Sequence, residues 1–222
     1  MTNNLYTELT PETLSVIKEL DTPDKIQKYI DTEIKYDSTR EDRTIDEVAT
    51  DKIAECYNGA LLATACLIYH GYEASIIELL AKDDEEHIIC VYKENGGFGS
   101  IAQSKFLGLK GRKPIYSSIH DLAVSYMEFY IAFEDGHYSL ESHTDWFPID
   151  KYNLEWLSNR ETIVKMEKDL RKEEHFNLRN NMQINYTAKP ERFWAEVKVI
   201  PEGTTLYSEF LEYKEKENQK LL

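Results

Sequence analysis

The sequence predicts an α+β fold, with a central buried helix packed on an antiparallel sheet and further helices before and after it. Three observations carry this expectation. Residues Cys56–Tyr69 (CYNGALLATACLIY) are apolar nearly all round, as a helix enclosed on every side must be. Ala74–Ala81, His87–Tyr92 and Phe98–Gln103 follow as strand-like runs, the last two joined by an Asn95-Gly96-Gly97 turn. No helix-length segment separates these runs, so they pair antiparallel and not through crossovers.

Taken in order, the first helix starts at Thr10, with Pro11 at its first position and Leu14, Ile17 and Leu20 at helical spacing. Thr22-Pro23 repeats that start signal, and Ile26, Tyr29, Ile30 and Ile34 give the second helix its apolar stripe. Residues 37–52 are polar and charged, and read as a surface loop with one helical turn around Ile45–Ala49. His70-Gly71 ends the central helix, because glycine takes the left-handed position past a helix terminus at little cost. Beyond the sheet, Ser117 or Ser118 caps a helix carrying Ile119, Leu122, Ala123, Tyr126 and Tyr130. Ser158 with Glu161 reads as a capping box for a helix through about Arg171, with Ile163, Met166 and Leu170 facing inward. Trp194–Ile200 alternates like a strand, and the last ten residues read as a frayed helix.

A chain of 222 residues supports one large domain or two small ones. The expected division is 1–150, a main domain with its N-terminal helices, and 151–222, a helical and β extension packed on it. A composition of 41% hydrophobic and 12% aromatic residues excludes a disordered or low-complexity chain. No run approaches the roughly 18 apolar residues of a membrane span. The start, MTNNLYTELTPE, lacks the basic and apolar regions of a secretion signal, so a cytoplasmic setting and no membrane partner are expected. With 26 basic and 41 acidic side chains the net charge is −15, which argues against nucleic acid as a partner. The excess lies in residues 1–150, with 13 basic and 28 acidic groups; residues 151–222 carry 13 of each.

Three cysteines, Cys56, Cys66 and Cys90, without a CxxC pair, make a disulfide framework or a four-cysteine zinc site an unsuitable reading. Asp135, His137, His143 and Asp145 come nearest to a metal cluster and are better read as a solvated loop; His120 and His175 add no ligand spacing. No phosphate loop or dinucleotide signature is present. Neither metal nor cofactor is expected.

Cys56 and His87 are the pair that chemistry would need. Cys56 opens the buried helix, where the first-turn N–H groups and the helix dipole favour a thiolate. His87 opens a strand two elements later; if that strand lies against the helix start, its imidazole takes the thiol proton. Cys66 lies deep in the helix and Cys90 has the opposite strand parity to His87, so both read as core. On this basis Cys56 is expected to react faster than Cys66 and Cys90, with a modest advantage over a free thiol because Glu55 and Asp51 oppose the shift. His70 reads as a helix C-terminal residue favoured by the dipole.

The order of these elements resembles the transglutaminase-like superfamily, within the papain-like thiol enzymes. The resemblance covers about residues 22–105 and rests on Cys56, Gly71-Tyr72-Glu73-Ala74, His87-Ile88-Ile89-Cys90-Val91 and Gly97-Phe98-Gly99-Ser100-Ile101. The stretch Gly108–Tyr130, with Arg112–Tyr116 and Ser125-Tyr126, resembles an uncharacterised bacterial branch of that group. The resemblance implies a thiol hydrolase or acyltransferase acting on amide bonds of a peptide or protein, with Cys56 as nucleophile and His87 as base. The alternative is a catalytically inactive binding module on the same fold. It also implies an Asp or Asn near position 102, where this chain has Ala102. Gln103 turns to the other face; Ser100 and Ser104 share the face of Ala102, and the acids of Asp83–Glu86 are further candidates to orient the histidine. A second oxyanion donor beside the Cys56 N–H is not identifiable from the sequence.

Overall fold

Thr10, Thr22 and Thr44 each accept a hydrogen bond from the backbone N–H three residues on, and each starts a helix: α1 (Pro11–Glu19), α2 (Pro23–Glu33) and α3 (Ile45–Asp51). In the computed structural model, which describes residues 5–37, 39, 42–132, 138–179, 215 and 219, the start signals read from the first two threonines hold. The third helix is a correction, since a loop with one turn was expected there. Thr44 and Glu47 form a reciprocal capping box, and Ile45, Val48 and Ala49 give α3 a buried face although its other residues are polar. Two short strands, β1 (Lys35–Tyr36) and β2 (Ile53–Ala54), pair in parallel and bring Tyr36 beside the start of α4 (Cys56–Tyr69).

The large sheet has six strands: β3 (Ala74–Ala81), β4 (His87–Glu94), β5 (Gly97–Ile101), β6 (Arg112–Tyr116), β7 (Leu140–Thr144) and β8 (His175–Asn177). Their spatial order is β6-β5-β4-β3-β7-β8, and every pairing is antiparallel. The class is α+β, with a sheet of that kind as expected. The three strands read from the sequence are the central ones. The strand expected over Phe98–Gln103 leaves the ladder after Ile101, because the backbone of Ala102 bonds in both directions to the Gln27 amide, at 3.0 Å each. The outer strands β6, β7 and β8 are short and lack the apolar runs that mark β3 and β4, so the sequence did not announce them.

Both faces of the sheet are covered, which explains why β3 and β4 read as nearly continuous apolar runs. One face carries Ile76, Ile88, Cys90 and Tyr92 against α4, and α1–α3 close the far side of that helix. The other carries Ile77, Leu79, Ile89 and Val91 against α5 (Ile119–Val124) and Tyr126. Ser118 caps α5, which ends at Val124; Tyr126 and Tyr130 flank a 3-10 turn and do not continue the helix as expected. α6 (Arg160–Leu170) buries Ile163, Met166 and Leu170 in the core around α4. Its cap is Asn159, whose side chain accepts from Thr162 N–H at 3.0 Å, while Ser158 bonds Glu8. The expected Ser158–Glu161 box is thus off by one residue, since Asn and Ser compete equally for such a position. Among the described residues no helix is long and apolar enough to cross a membrane. The strand expected at Trp194–Ile200 and the helix expected at the C-terminus lie outside the described residues.

Candidate functional site

Cys56 is the first helical residue of α4, and Glu55 caps the helix in front of it. Glu55 is an uncommon cap, because its longer side chain must fold back. It does so with both oxygens: Oε1 accepts from Asn58 N–H at 2.7 Å and Oε2 from Tyr57 N–H at 2.9 Å. Its backbone carbonyl takes the Gly59 N–H at 3.0 Å. The Cys56 N–H is the first-turn amide that Glu55 leaves over. The Cys56 thiol donates to Glu55 Oε2 at 3.1 Å.

Two close contacts fasten this turn. Tyr57 Oη donates to the Ile163 carbonyl at 2.8 Å, tying α6 to α4. A Cβ on Gly59 would lie 2.5 Å from Gln103 Cβ, so only glycine lets that chain pass so closely. Gln103, buried just beyond the end of β5, donates to the Ile34 carbonyl at 2.8 Å.

His87 begins β4 with the parity of Ile89 and Val91, on the α5 side of the sheet. It is 5% exposed, and its Nε2 lies 2.9 Å from the Leu109 carbonyl. A carbonyl can only accept, so Nε2 carries the proton and Nδ1 holds a lone pair. One residue on, the backbone N–H of Ile88 is oriented to favour the charged form of the Cys56 sulfur. β4 packs on α4 through Ile88 and not through His87, whose side chain is on the opposite face of the sheet. Cys56 and His87 both line one cleft, with Ser104, Lys105 and Tyr130, but the thiol bonds Glu55 and the imidazole bonds Leu109, and no bond joins the two among the described residues. A second cleft adjoins it, sharing Cys56 and adding Glu55, Glu167 and Arg171.

Electrostatics correct the expectation of an activated thiol. Burial first, then the charge of Glu55, pushes the Cys56 thiol well up, against the opposing Ile88 N–H. Burial likewise raises Glu55 above the usual carboxylate range, against the two backbone bonds it accepts. Burial pushes His87 down to about 4, although its bond to Leu109 favours protonation. The resting pair is a neutral thiol and a neutral imidazole, not an ion pair.

The other residues singled out in the sequence fall as follows. Ala102 is fully buried among the residues of the His87 side, and the histidine's orienting partner is the Leu109 carbonyl, not a side-chain acid. Ser100 is committed to Tyr126 at 2.7 Å and to Arg112 N–H, and Ser104 accepts from Phe106 N–H at 3.0 Å. Among the acids before His87, Asp84 accepts from Ser139, Glu85 pairs with Lys105 and Glu86 with Arg171. Cys66 and Cys90 are fully buried, and burial raises both thiols, Cys90 to about 12. His70 caps α4 and bonds the Ile17 carbonyl at 2.9 Å. His143 bonds its neighbour Thr144 and the ring of His120, and His175 bonds Glu78, all away from the Cys56 cleft. Asp135 and His137 lie outside the described residues. No protein-family model matches the chain, and no curated protein matches it.

Glu55 as cap and the Leu109 carbonyl are the parts of the site that reading the sequence missed. Only Glu55 left a trace there: a strongly apolar helix with no Ser, Thr, Asp or Asn immediately before it.

Proposed function

We propose that Cys56 and His87 form a thiol site for acyl transfer or hydrolysis at amide bonds of a peptide or protein. The observation that carries this reading is the shared cleft, with Cys56 at a helix start and a histidine whose Nδ1 lone pair is left available by the Leu109 bond. The resemblance of the element order to transglutaminase-like proteins supports it, and so does a central helix packed on an antiparallel sheet. Because the resting pair is neutral, the proton moves with the attack and not before it. His87 Nδ1 takes the thiol proton as sulfur bonds to the carbonyl carbon, and the carbonyl oxygen gains the negative charge. Collapse breaks the C–N bond, and the amine leaves with the proton from the imidazolium. Water or another amine then releases the thioester through the same histidine.

A second reading, a binding module that kept the cleft, is favoured by the raised thiol and depressed imidazole. Acetylation by p-nitrophenyl acetate separates the two. A thiol enzyme releases a burst of one p-nitrophenolate per chain and carries the acetyl group on the Cys56 peptide, and His87→Gln slows the burst by about 10²-fold. Absence of acetyl-Cys56, or a burst indifferent to His87→Gln, selects the binding module.

A further inference from the structure

A groove away from Cys56 offers more room than either cleft there. It opens between α2 and the β5–β6 side of the sheet and holds about 360 Å³, against about 40 and 70 Å³ beside Cys56. Small-molecule pockets run from roughly 300 to 1,000 Å³. Its α2 wall is fixed, because Gln27 clamps the Ala102 backbone in both directions. Tyr92 lines the groove although it is 2% exposed. Its ring reaches from β4 over Gly99 of β5, where a Cβ would lie 2.8 Å from the phenol oxygen and 2.9 Å from the Pro114 nitrogen of β6. The oxygen is thereby carried to the side where Gly111 and Lys113 form the other wall. It bonds no other group among the described residues, and it is not among the unpartnered atoms sealed from solvent, as the Tyr130 oxygen is. Buried polar groups rarely stand unpaired, so an open, unbonded hydroxyl on a buried ring marks a place for a ligand group.

The charges around the groove decide the kind of ligand. Asp24 is paired with Lys113 and Asp31 with Lys110. Arg112 spends its guanidinium on the Gly108 and Lys110 carbonyls and on the face of Tyr126. Lys28 alone among the charged lining residues has no ion pair or side-chain hydrogen bond among the described residues. Pro23 and Ile101 add apolar lining. We propose that this groove binds a small organic carboxylate with an apolar body, held by the Lys28 ammonium and by a hydrogen bond from the Tyr92 hydroxyl. Burial, then the charges of Glu94 and Asp24, raise the phenol, so it stays a donor and does not repel an anion. The chain as a whole, at a net charge of −15, disfavours an anion, so one unpaired cation beside a donor selects this place for it. Cys56 lines neither wall, and the site stands apart from the acyl-transfer reading.

Benzoate and hexanoate, an aromatic and an aliphatic carboxylate, serve as probes on the full chain. Benzylamine is the cation of matching shape, and sodium chloride at equal ionic strength is the blank. Backbone amide signals in two-dimensional NMR should shift saturably with at least one carboxylate, at α2, Gly99–Ile101 and Gly111–Lys113, and not with benzylamine or chloride. Lys28 is exposed, so Lys28→Ala leaves the fold intact and should weaken binding about tenfold, the loss of a charge-assisted bond. Tyr92→Phe keeps the ring and should weaken binding about fivefold, the loss of a neutral one. Saturable shifts from neither carboxylate overturn the proposal. Benzylamine binding as tightly, or chloride giving the same shifts, does so too. An affinity indifferent to Lys28→Ala or to Tyr92→Phe removes the site as built from those two groups. Acetylation of Cys56 by p-nitrophenyl acetate reports on the thiol site alone, so either site can fail without the other.

Discussion

Cys56 and Cys66 stand ten residues apart on one helix, and burial raises both thiols. What surrounds them differs. The middle of α4 is apolar on every side, with Leu61, Leu62, Ala63, Ala65 and Leu67 all at 0% exposure. The first turn is surrounded by polar groups: a folded-back carboxylate bonded to the thiol and a histidine held by a carbonyl. The comparison teaches that a raised thiol pKa does not separate a structural cysteine from a candidate nucleophile here. The polar groups around the sulfur, and a cleft that reaches it, make the difference.

The largest effect expected from this contrast is on stability against pH. His87 titrates near 4 in the folded chain and near 6.5 when unfolded. Above pH 6.5 it is neutral in both states and contributes no difference. As pH falls from 6.5 to 4 the unfolded chain takes up a proton that the native site refuses. Stability is then lost, by on the order of 3 kcal/mol at the lower limit. Urea midpoints at pH 7.5 and pH 4.5 should therefore diverge more in the native sequence than in His87→Gln. Equal slopes would remove the dry, neutral histidine from the description of the first turn.

Gly59→Ala sharpens the same boundary. In an exposed helix this change would stabilise by about 1 kcal/mol. Here the new Cβ meets Gln103 Cβ at 2.5 Å, so the sign reverses and about 2 kcal/mol should be lost. Denaturant unfolding measures it, and Gln103→Gly, which removes the opposing Cβ, should restore part of the loss. A neutral or stabilising Gly59→Ala would show that the first turn is not wedged against the segment after β5.

The smallest effect on stability, and the most direct on reactivity, is expected of Glu55→Ser. Serine keeps a cap, so stability should change by less than about 1 kcal/mol. Loss of the carboxylate from the thiol lowers the Cys56 pKa, and iodoacetamide labelling at pH 8 should rise about tenfold, the effect of one pKa unit. Cys66 should be unaffected. Equal acceleration at both cysteines would point to loosening of the helix and not to local charge.

The sequence by itself determined the α+β class, the limits of α4, the two hairpin strands and the placement of Cys56 at the helix start. These follow from local signals: a 14-residue run apolar all round, proline after threonine at helix starts, and a glycine turn between apolar runs. Gln103 was expected to face away from Ala102 by strand alternation; the strand ends at Ile101, and Gln103 is held instead by its bond to the Ile34 carbonyl. Only the tertiary structure decided what the site is made of. The histidine's partner is a main-chain carbonyl, which every residue possesses and which no residue type announces. The outer strands β6 and β8 are held by neighbours, not by their own apolar pattern. Glu55 was visible as a charge beside the thiol, but its role as a cap with both oxygens engaged depends on how the chain enters α4. The protonation of Cys56 and His87 was out of reach for the same reason. Helix position and neighbouring charge can be read along the chain, whereas burial, the first cause of both shifts, exists only once the sheet, α4 and the segment carrying Leu109 have closed around them.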